Sequence, residues 1–188
     1  MFRRGFKSWC EQTATSFRIK RGLAASDPLP ARLLGEELKV EIVTPELLAD
    51  LPEDSRDRLV GEHSDCWSAI TIPHKQCPLV VYNPAHSPAR QNSDLMHELA
   101  HILLEHEPGN TFIDPNSGLA LRAHDASQEE EASWLSGSLL LPREALWKIK
   151  KRQWSDEIAC EIYFVSLQML RYRMNISGVN IQHRRSRA

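Results

Sequence analysis

The sequence lacks the features that would place the protein in a membrane or outside the cell. No apolar run approaches the roughly 20 residues that a membrane-spanning helix needs. The basic start of the chain, residues 1–7, is followed by neither an apolar stretch nor a small-residue cleavage site, so we expect no export. The four cysteines form no CxxC pair, which is typical of free thiols in a reducing compartment rather than of a disulfide framework. Together these absences predict a soluble cytoplasmic protein.

Internal repeats and low-complexity segments are also absent, and the length of 188 residues fits one domain with small appendages. The formal net charge is only −2, but basic residues concentrate at the two ends and acidic residues in the middle. Such a distribution is compatible with a nucleic-acid partner or a DNA-bound protein. We favour a simpler interpretation, in which the charges form solvated helix faces and an Arg-rich tail at 183–188.

Hydrophobic periodicity predicts an α+β fold. Alternating or β-branched segments predict three short strands, at 38–43, 67–72 and 79–82. Helical patterns precede and follow these strands, which predicts a small mixed or antiparallel sheet within one α+β domain. The charged stretch 52–65 and the Gly/Pro/Asn/Asp-rich stretch 109–127 are predicted to be loops.

The most informative motif is His-Glu-Leu-Ala-His at residues 97–101, an HExxH pattern. It lies in a predicted amphipathic helix from 89 to about 106. His97 and His101 are four residues apart, so both imidazoles lie on one helical face and can bind the same metal ion. Glu98 lies about 100° around the helix, beside the metal, where it can accept a proton from an attacking water. The motif therefore predicts metal-assisted hydrolysis.

A catalytic zinc usually takes three protein ligands, so a third ligand must be found. His106 follows His101 by five residues, and no Gly is present there to turn the chain. Its side chain is therefore expected to point away from the face of His97 and His101. The metzincin arrangement also requires a further residue of spacing and a Gly, so we exclude His106 as the ligand. The third ligand is then expected on the second long helix, predicted from 128 to 141 with Ser127 as its N-cap.

That helix begins with three consecutive glutamates, which helical spacing separates. Glu129 shares its face with small or apolar residues, as a helix packed against the metal helix requires. These residues are Ala132, Ser133, Ser136 and Leu140. Glu130 and Glu131 are predicted to form a solvated acidic first turn that stabilises the helix dipole. Glu129 is therefore the predicted third ligand.

Several further segments match one known family. The matching segments are Asp27–Pro30, the strand ending at Asn83, Arg90, His97–His101, Glu129–Ala132, Leu139–Pro142 and Leu170–Met174. Together they resemble the ImmA/IrrE-type metallo-endopeptidases, a group of bacterial and phage zincins. We accordingly divide the chain into an N-terminal helical extension (1–25), a zincin-like metallopeptidase core (26–142), and C-terminal helices with a basic tail (143–188).

The resemblance also implies the chemistry of the site. The implied Zn²⁺ ligands are His97, His101 and Glu129. Glu98 is the implied catalytic residue. The implied substrate is a partner protein, a helix-turn-helix repressor or antitoxin, whose cleavage relieves repression of stress genes or mobile elements.

The chain departs from the family pattern at three places. Ser133 stands where the family commonly has an Asn or Asp that orients a ligand through a hydrogen bond. Ser93-Asp94 replaces an aromatic–Thr pair ahead of the motif, and Ala100 replaces a frequent Gly. None of these changes removes a ligand, but we expect a weaker hydrogen bond to the ligand at Ser133 and an effect on efficiency and partner recognition.

Two details of the site and two alternative functions stay open at this point. His124 and Tyr82 are both candidates for the donor that stabilises the oxyanion, and the strand at 67–72 is a candidate edge for an extended substrate. The protein could instead bind a repressor or antitoxin without cutting it. It could also be a DNA-binding regulator, since residues 165–173 resemble the second helix of a helix-turn-helix, although Phe164 occupies the turn.

Overall fold

The computed structural model describes residues 2–49, 51–61, 64–72, 77–107, 111–113, 120–122 and 125–186. The helices in these ranges are α1 (Phe6–Lys20), α2 (Ala31–Glu37), α3 (Glu53–Val60), α4 (Pro88–Leu103), α5 (Ala126–Leu140), α6 (Arg143–Arg152), α7 (Asp156–Tyr163), α8 (Leu167–Ile176) and α9 (Val179–Arg185). The strands are β1 (Glu41–Val43), β2 (Ala69–Ile72), β3 (Leu79–Tyr82), β4 (Thr111–Ile113) and β5 (Ala120–Arg122). The α+β class predicted from the sequence, with a small sheet and a helical C-terminal region, is confirmed.

The larger sheet is mixed and has the strand order β1–β3–β2. β1 runs parallel to the central strand β3, and β2 runs antiparallel to it, with Thr71 opposite Val80. Val80 and Val81 are buried, whereas side chains along β2 alternate between half-buried and exposed. The strand order makes β2 an edge strand of this sheet, and the alternation places its exposed side chains on one face.

Helix α5 packs against α4 on one side and against α1 on another. The side chains that α5 buries are apolar or small: Ala132, Leu135, Ser136, Gly137, Ser138, Leu139 and Leu140. Full burial of a Leu side chain stabilises the folded state by roughly 1.5–3 kcal/mol, so these contacts are a main source of stability. No helix in the described ranges is both long and apolar enough to cross a bilayer.

Helix α1 carries a buried stripe of residues spaced four apart. The stripe consists of Phe6, Cys10, Ala14 and Arg18. The Arg18 side chain donates hydrogen bonds to the carbonyl oxygens of Ala14, Asp27 and Leu139. Burial lowers the pKa of the Arg18 guanidinium to about 10, so it stays charged at neutral pH, and the three carbonyls replace its lost water. The bond to Leu139 fastens α1 to the end of α5.

The C-terminal helices are fastened to α1 through a second buried arginine. Arg173 of α8 is fully buried and donates hydrogen bonds to the carbonyl of Leu141 at 3.0 Å and to Oε1 of Glu11 at 2.6 Å. Glu11 also accepts a hydrogen bond from the backbone N–H of Arg143, at the start of α6. Gly137 allows the close approach, because a Cβ at that position would lie 2.9 Å from Cδ of Arg173.

Two predicted loops contain regular structure instead. Residues 53–60 form α3, with Glu53 and Asp54 in its first turn and Arg58 in its last turn, an arrangement that complements the helix dipole. α3 buries no side chain, so no apolar period marks it in the sequence. The stretch 109–127 contains β4 and β5, which pair in antiparallel orientation.

The N-cap of α5 also differs from the prediction. Asp125, rather than Ser127, takes this position, and its side chain accepts hydrogen bonds from the backbone N–H groups of Ser127 and Gln128. A carboxylate at an N-cap satisfies free N–H groups and also interacts favourably with the helix dipole. The helix therefore begins at Ala126, two residues before the predicted start.

Candidate metal centre

Helix α4 brings the two histidines of the HExxH motif together. Ser87 caps it by accepting a hydrogen bond from the backbone N–H of Arg90, and Pro88 is the first helical residue. His97 and His101 are half-buried and share the face of α4 opposite to its buried residues, which include Leu95 and Leu99. α4 packs against α5. Their Nε2 atoms lie 3.1 Å apart. The spacing of four residues thus places two nitrogen donors at one point, as the sequence predicts.

Glu129, in the first turn of α5, completes a group of three donors. Its Oε2 lies 3.1 Å from Nε2 of His97, and its Oε1 lies 3.5 Å from Nε2 of His101. Zinc–nitrogen bonds of about 2.0–2.1 Å in a tetrahedron would place neighbouring donors about 3.3 Å apart. The observed separations fit this value, and three protein donors leave one position for water or substrate. His97, His101 and Glu129 can therefore hold a metal ion together.

Glu98 has a partner on the neighbouring sheet. The hydroxyl of Thr71, on the edge strand β2, donates a hydrogen bond to Oε2 of Glu98 at 2.5 Å. Glu98 is half-buried and lies next to His97 in the chain, and the bond from Thr71 holds its carboxylate against the sheet. The sequence analysis did not identify Thr71. The period-two pattern of the strand, which separates Thr71 from the exposed Ile70 and Ile72, is the signal that could have found it.

A family comparison agrees with this arrangement of helices and donors. The family model for peptidase M78, described as the IrrE N-terminal-like domain, matches residues 61–175. The chain belongs to this family. The match includes α4 and α5, and it confirms the ImmA/IrrE-type resemblance seen in the sequence. Membership of the IrrE N-terminal-like domain family supports a metallopeptidase-like function.

A comparison of structures shows the same fold in a larger protein. A solved structure described as a Mycobacterium tuberculosis transcriptional regulator is similar, with a TM-score of 0.52 and 13% sequence identity. The similarity covers 92% of this chain and 47% of that chain, so the protein described here spans about half the length of the regulator. No curated protein matches the sequence.

The end of α4 in this IrrE-like domain differs from the prediction. The helix ends at Leu103, and Glu105 has a left-handed backbone with φ of 54°. This turn brings the ring of His106 back onto His101, with their Nδ1 atoms 2.9 Å apart. His106 therefore contacts Nδ1 of His101, whereas the other ring nitrogen of His101, Nε2, faces His97 and Glu129. The prediction that the side chain of His106 points away from His97 and His101 is wrong. His106 is nevertheless not one of the three residues that can hold the metal together.

Glu131 also differs from the prediction. Its side chain is 25% exposed, and its Oε2 lies 3.4 Å from Nε2 of His106. Glu130, by contrast, is exposed, as predicted for a solvated first turn. Glu129 and Glu131 lie two residues apart on α5, and both turn toward the end of α4, where their partners are different histidines. Spacing along one helix could not reveal this, because the partner of Glu131 is placed by the turn at Glu105.

The loop before α4 is held by a buried polar cluster. Nδ1 of His86 lies 2.8 Å from Oδ2 of Asp94, and both side chains are largely buried. The buried Asn83 donates hydrogen bonds through Nδ2 to the carbonyls of Ser64 and Trp67. This cluster ties the end of β3 and the start of α4 to each other. Asp94, one of the departures from the family pattern, thus has a partner of its own in this chain.

The remaining predicted site residues lie elsewhere or outside the described ranges. Tyr82 ends β3, and the guanidinium carbon of Arg32 lies 4.8 Å from its ring centroid. Tyr82 thus packs against α2, and its role as an oxyanion donor stays a prediction. Ser133 is exposed on α5, one turn after Glu129. His124 lies outside the described residues.

Proposed function

We propose that this protein is a cytoplasmic zinc endopeptidase whose substrate is a helix-turn-helix repressor or an antitoxin. The observation that carries the proposal is the group of three donors that fits zinc, and the hydrogen bond from Thr71 to Glu98, the residue after His97, supports it. A metal held only for structure needs no carboxylate base at its side, whereas peptide hydrolysis does. The family membership supports the same reaction class.

Each residue of the site has a role in this proposal. His97, His101 and Glu129 hold the ion, which when bound makes water a stronger nucleophile and polarises the carbonyl of the substrate. Glu98 accepts the proton of the attacking water and then transfers it to the nitrogen of the leaving amine. Thr71 keeps Oε2 of Glu98 in place through its hydrogen bond. His124 and Tyr82 stay the candidates for the donor that stabilises the oxyanion.

The edge strand β2 is the proposed binding surface for the substrate backbone. Ile70 and Ile72 are each 40% exposed, and Thr71 between them faces Glu98. An extended peptide that pairs with β2 would therefore lie beside the catalytic carboxylate, with apolar side chains available for contact. This arrangement favours an unfolded or extended segment of the partner as the cleaved region.

The DNA-binding alternative is less compatible with the charges around α8. α7 and α8 are joined by a tight turn in which Phe164 is left-handed, with φ of 51°. Arg171 on α8 is within 3.6 Å of Asp156 on α7. Asp156, Glu157 and Glu161 are all exposed on α7. These carboxylates would repel phosphates next to the helix that would have to enter the groove.

The test is cleavage of a candidate repressor or antitoxin encoded beside this gene, followed by mass spectrometry of the products. The unaltered protein should cut the partner, and a chelator should stop it. Glu98→Gln should keep zinc, fold and partner affinity but lose cleavage, because Gln is nearly isosteric but does not accept the proton. Glu130→Gln, an exposed control with the same change, should cut normally.

Two outcomes would contradict the proposal. If Glu98→Gln cuts as fast as the unaltered protein, this site does not perform the hydrolysis. If both proteins bind every tested partner tightly and neither cuts, the protein is a binding module. Steeply salt-dependent DNA binding by the unaltered protein would instead favour the regulator alternative.

A further inference from the structure

Two buried or half-buried side chains next to the metal centre have no role in the proposed reaction. His106 is only 7% exposed in its side chain, and Glu131 is 25% exposed. The ring of His106 meets that of His101 edge to face, with centroids 5.0 Å apart. Burial of an imidazole and a carboxylate is costly unless their polar atoms are paired, so the contacts of this pair need an explanation.

The backbone at the end of α4 determines the position of His106. The N–H of His106 donates to the carbonyl of His101, and the N–H of Glu105 donates to that of Ile102. These two bonds and the left-handed Glu105 form a Schellman motif, in which the residue after the turn lies back over the last turn of the helix. The contact between His106 and His101 is therefore built into the helix end and does not depend on side-chain rotation alone.

The metal site determines which ring nitrogen of His101 and which ring nitrogen of His106 carries hydrogen. Nε2 of His101 faces His97 and Glu129, so a metal there requires that Nε2 be unprotonated. A neutral imidazole then carries its hydrogen on Nδ1. That N–H can donate to Nδ1 of His106, which lies 2.9 Å away. His106 consequently carries its own hydrogen on Nε2, which points to Glu131 at 3.4 Å.

We propose that His106 and Glu131 are positioning residues that fix the ring orientation and the tautomer of His101. The proposal rests on the metal site of the proposed function. His106 accepts the hydrogen of His101, and Glu131 holds His106 in the tautomer that can accept. A ligand histidine held in this way is ready for metal before the metal binds, which raises affinity. Loss of such an outer partner typically lowers metal affinity by about 10–100-fold.

The test measures zinc dissociation constants by competition with a chromophoric chelator, using the full chain. His106→Leu removes both hydrogen-bonding atoms but keeps an apolar side chain in the same space, and should bind zinc about 10–100-fold more weakly. His106→Gln has one acceptor and one donor at a similar separation, and should recover most of that loss. A purely structural role for the ring would give Leu and Gln the same effect on zinc binding.

Glu131→Ala and Glu130→Ala form a matched pair on the same helical turn. Glu131→Ala should weaken zinc binding about 10-fold, at the lower end of the range for an outer partner. Glu130→Ala should change it less than about 2-fold, because its carboxylate is exposed. Equal effects of the two changes would show that only the acidity of the helix terminus matters, and would overturn the proposal.

A measurement on the unaltered protein covers the case in which the variants do not fold. Proton–nitrogen correlation spectra of the zinc-loaded protein report which ring nitrogen of each histidine carries hydrogen. The expected result is hydrogen on Nδ1 of His101 and on Nε2 of His106. Hydrogen on Nδ1 of His106, or zinc on Nδ1 of His101, would overturn the proposal.

We call the hydrogen-bonded series from His101 through His106 to Glu131 the relay. Failure of the relay and failure of the proposed function give different results. If His106→Leu binds zinc as tightly as the unaltered protein and cuts the partner, the relay is wrong and the peptidase proposal stands. If the zinc affinities follow the expected order but no partner is cut, the relay stands and the peptidase proposal falls.

Discussion

Thr71 and Glu98, 27 positions apart in the chain, are joined by a hydrogen bond of 2.5 Å between Oγ1 and Oε2. This bond links the edge strand β2 to the helix that carries both histidines. The proposed substrate surface and the proposed base are therefore parts of one hydrogen-bonded unit. A shift of β2 on substrate binding would be transmitted directly to the carboxylate.

The first prediction tests this bond. Thr71→Val keeps the shape of the side chain but removes the hydroxyl, and should lower kcat for cleavage about 10–100-fold, since a hydrogen bond to a charged group contributes about 1.5–3 kcal/mol. Zinc content should not change, because Thr71 is not one of the donors. Thr71→Ser should keep most of the activity. Full activity of Thr71→Val would limit Thr71 to a packing role between β2 and α4.

The second prediction concerns metal content, measured by elemental analysis of the purified protein. The unaltered protein should hold about one zinc per chain, and His97→Ala and His101→Ala should both lose it, because two donors bind far more weakly than three. His183→Ala, which removes a histidine from the distant helix α9, is the control and should keep the metal. Full zinc retention by His101→Ala would refute the assignment of the site.

The third prediction separates two neighbouring glutamates. Glu129→Ala removes a carboxylate that lies 3.1 Å and 3.5 Å from the two histidines. It should weaken zinc binding by more than a change at a residue that only holds a ligand in place, for which about 10–100-fold is typical. Glu130→Ala should cost only a few tenths of a kcal/mol at the helix terminus. Loss of metal in Glu130→Ala, with retention in Glu129→Ala, would show that the wrong face of α5 has been assigned.

The fourth prediction concerns the contact between α5 and α8. Gly137→Ala raises helix propensity by up to about 1 kcal/mol, but its Cβ would lie 2.9 Å from Cδ of the fully buried Arg173. Arg173 is held by Glu11 and the carbonyl of Leu141, so we expect the overpacking cost of about 1–3 kcal/mol to be larger. Thermal unfolding should show a lower Tm. Ser133→Ala, at an exposed position of the same helix, is the control, and a raised Tm in Gly137→Ala would mean that Arg173 moves freely.

The parts of the site that local spacing determines could be predicted from the sequence. A separation of four residues places His97 and His101 on one face of a helix, whatever surrounds them. Three of the four neighbours of Glu129 named for its face of α5 are buried, namely Ala132, Ser136 and Leu140, in a helix that packs against α4, whereas Ser133 is exposed. The fold class followed from the change between strand and helical periods, because burial on one side leaves that period in the sequence.

The parts that depend on backbone exceptions or on contacts between distant elements could not be predicted. Gly usually marks a left-handed residue at the end of a helix, but here that residue is Glu105. The sequence therefore does not show that the chain turns there and brings His106 back to His101. Helix α3 buries no residue and so carries no apolar stripe. The pairing of Thr71 with Glu98 depends on how the sheet packs on α4, which no local pattern encodes.

The buried bond between Arg173 and Glu11 has a consequence for synthesis, because the two residues are 162 positions apart. While the ribosome makes the chain, α1 is made before α5 and has to wait for it, and Glu11 has to wait for α8. The bond from Arg18 to Leu139 spans 121 positions and imposes a similar delay. Contacts so distant along the chain slow folding. We therefore expect the contacts of α1 with α5 and α8 to close only after α8 has been made, so the N-terminal helix would stay undocked during most of the synthesis of the first 173 residues.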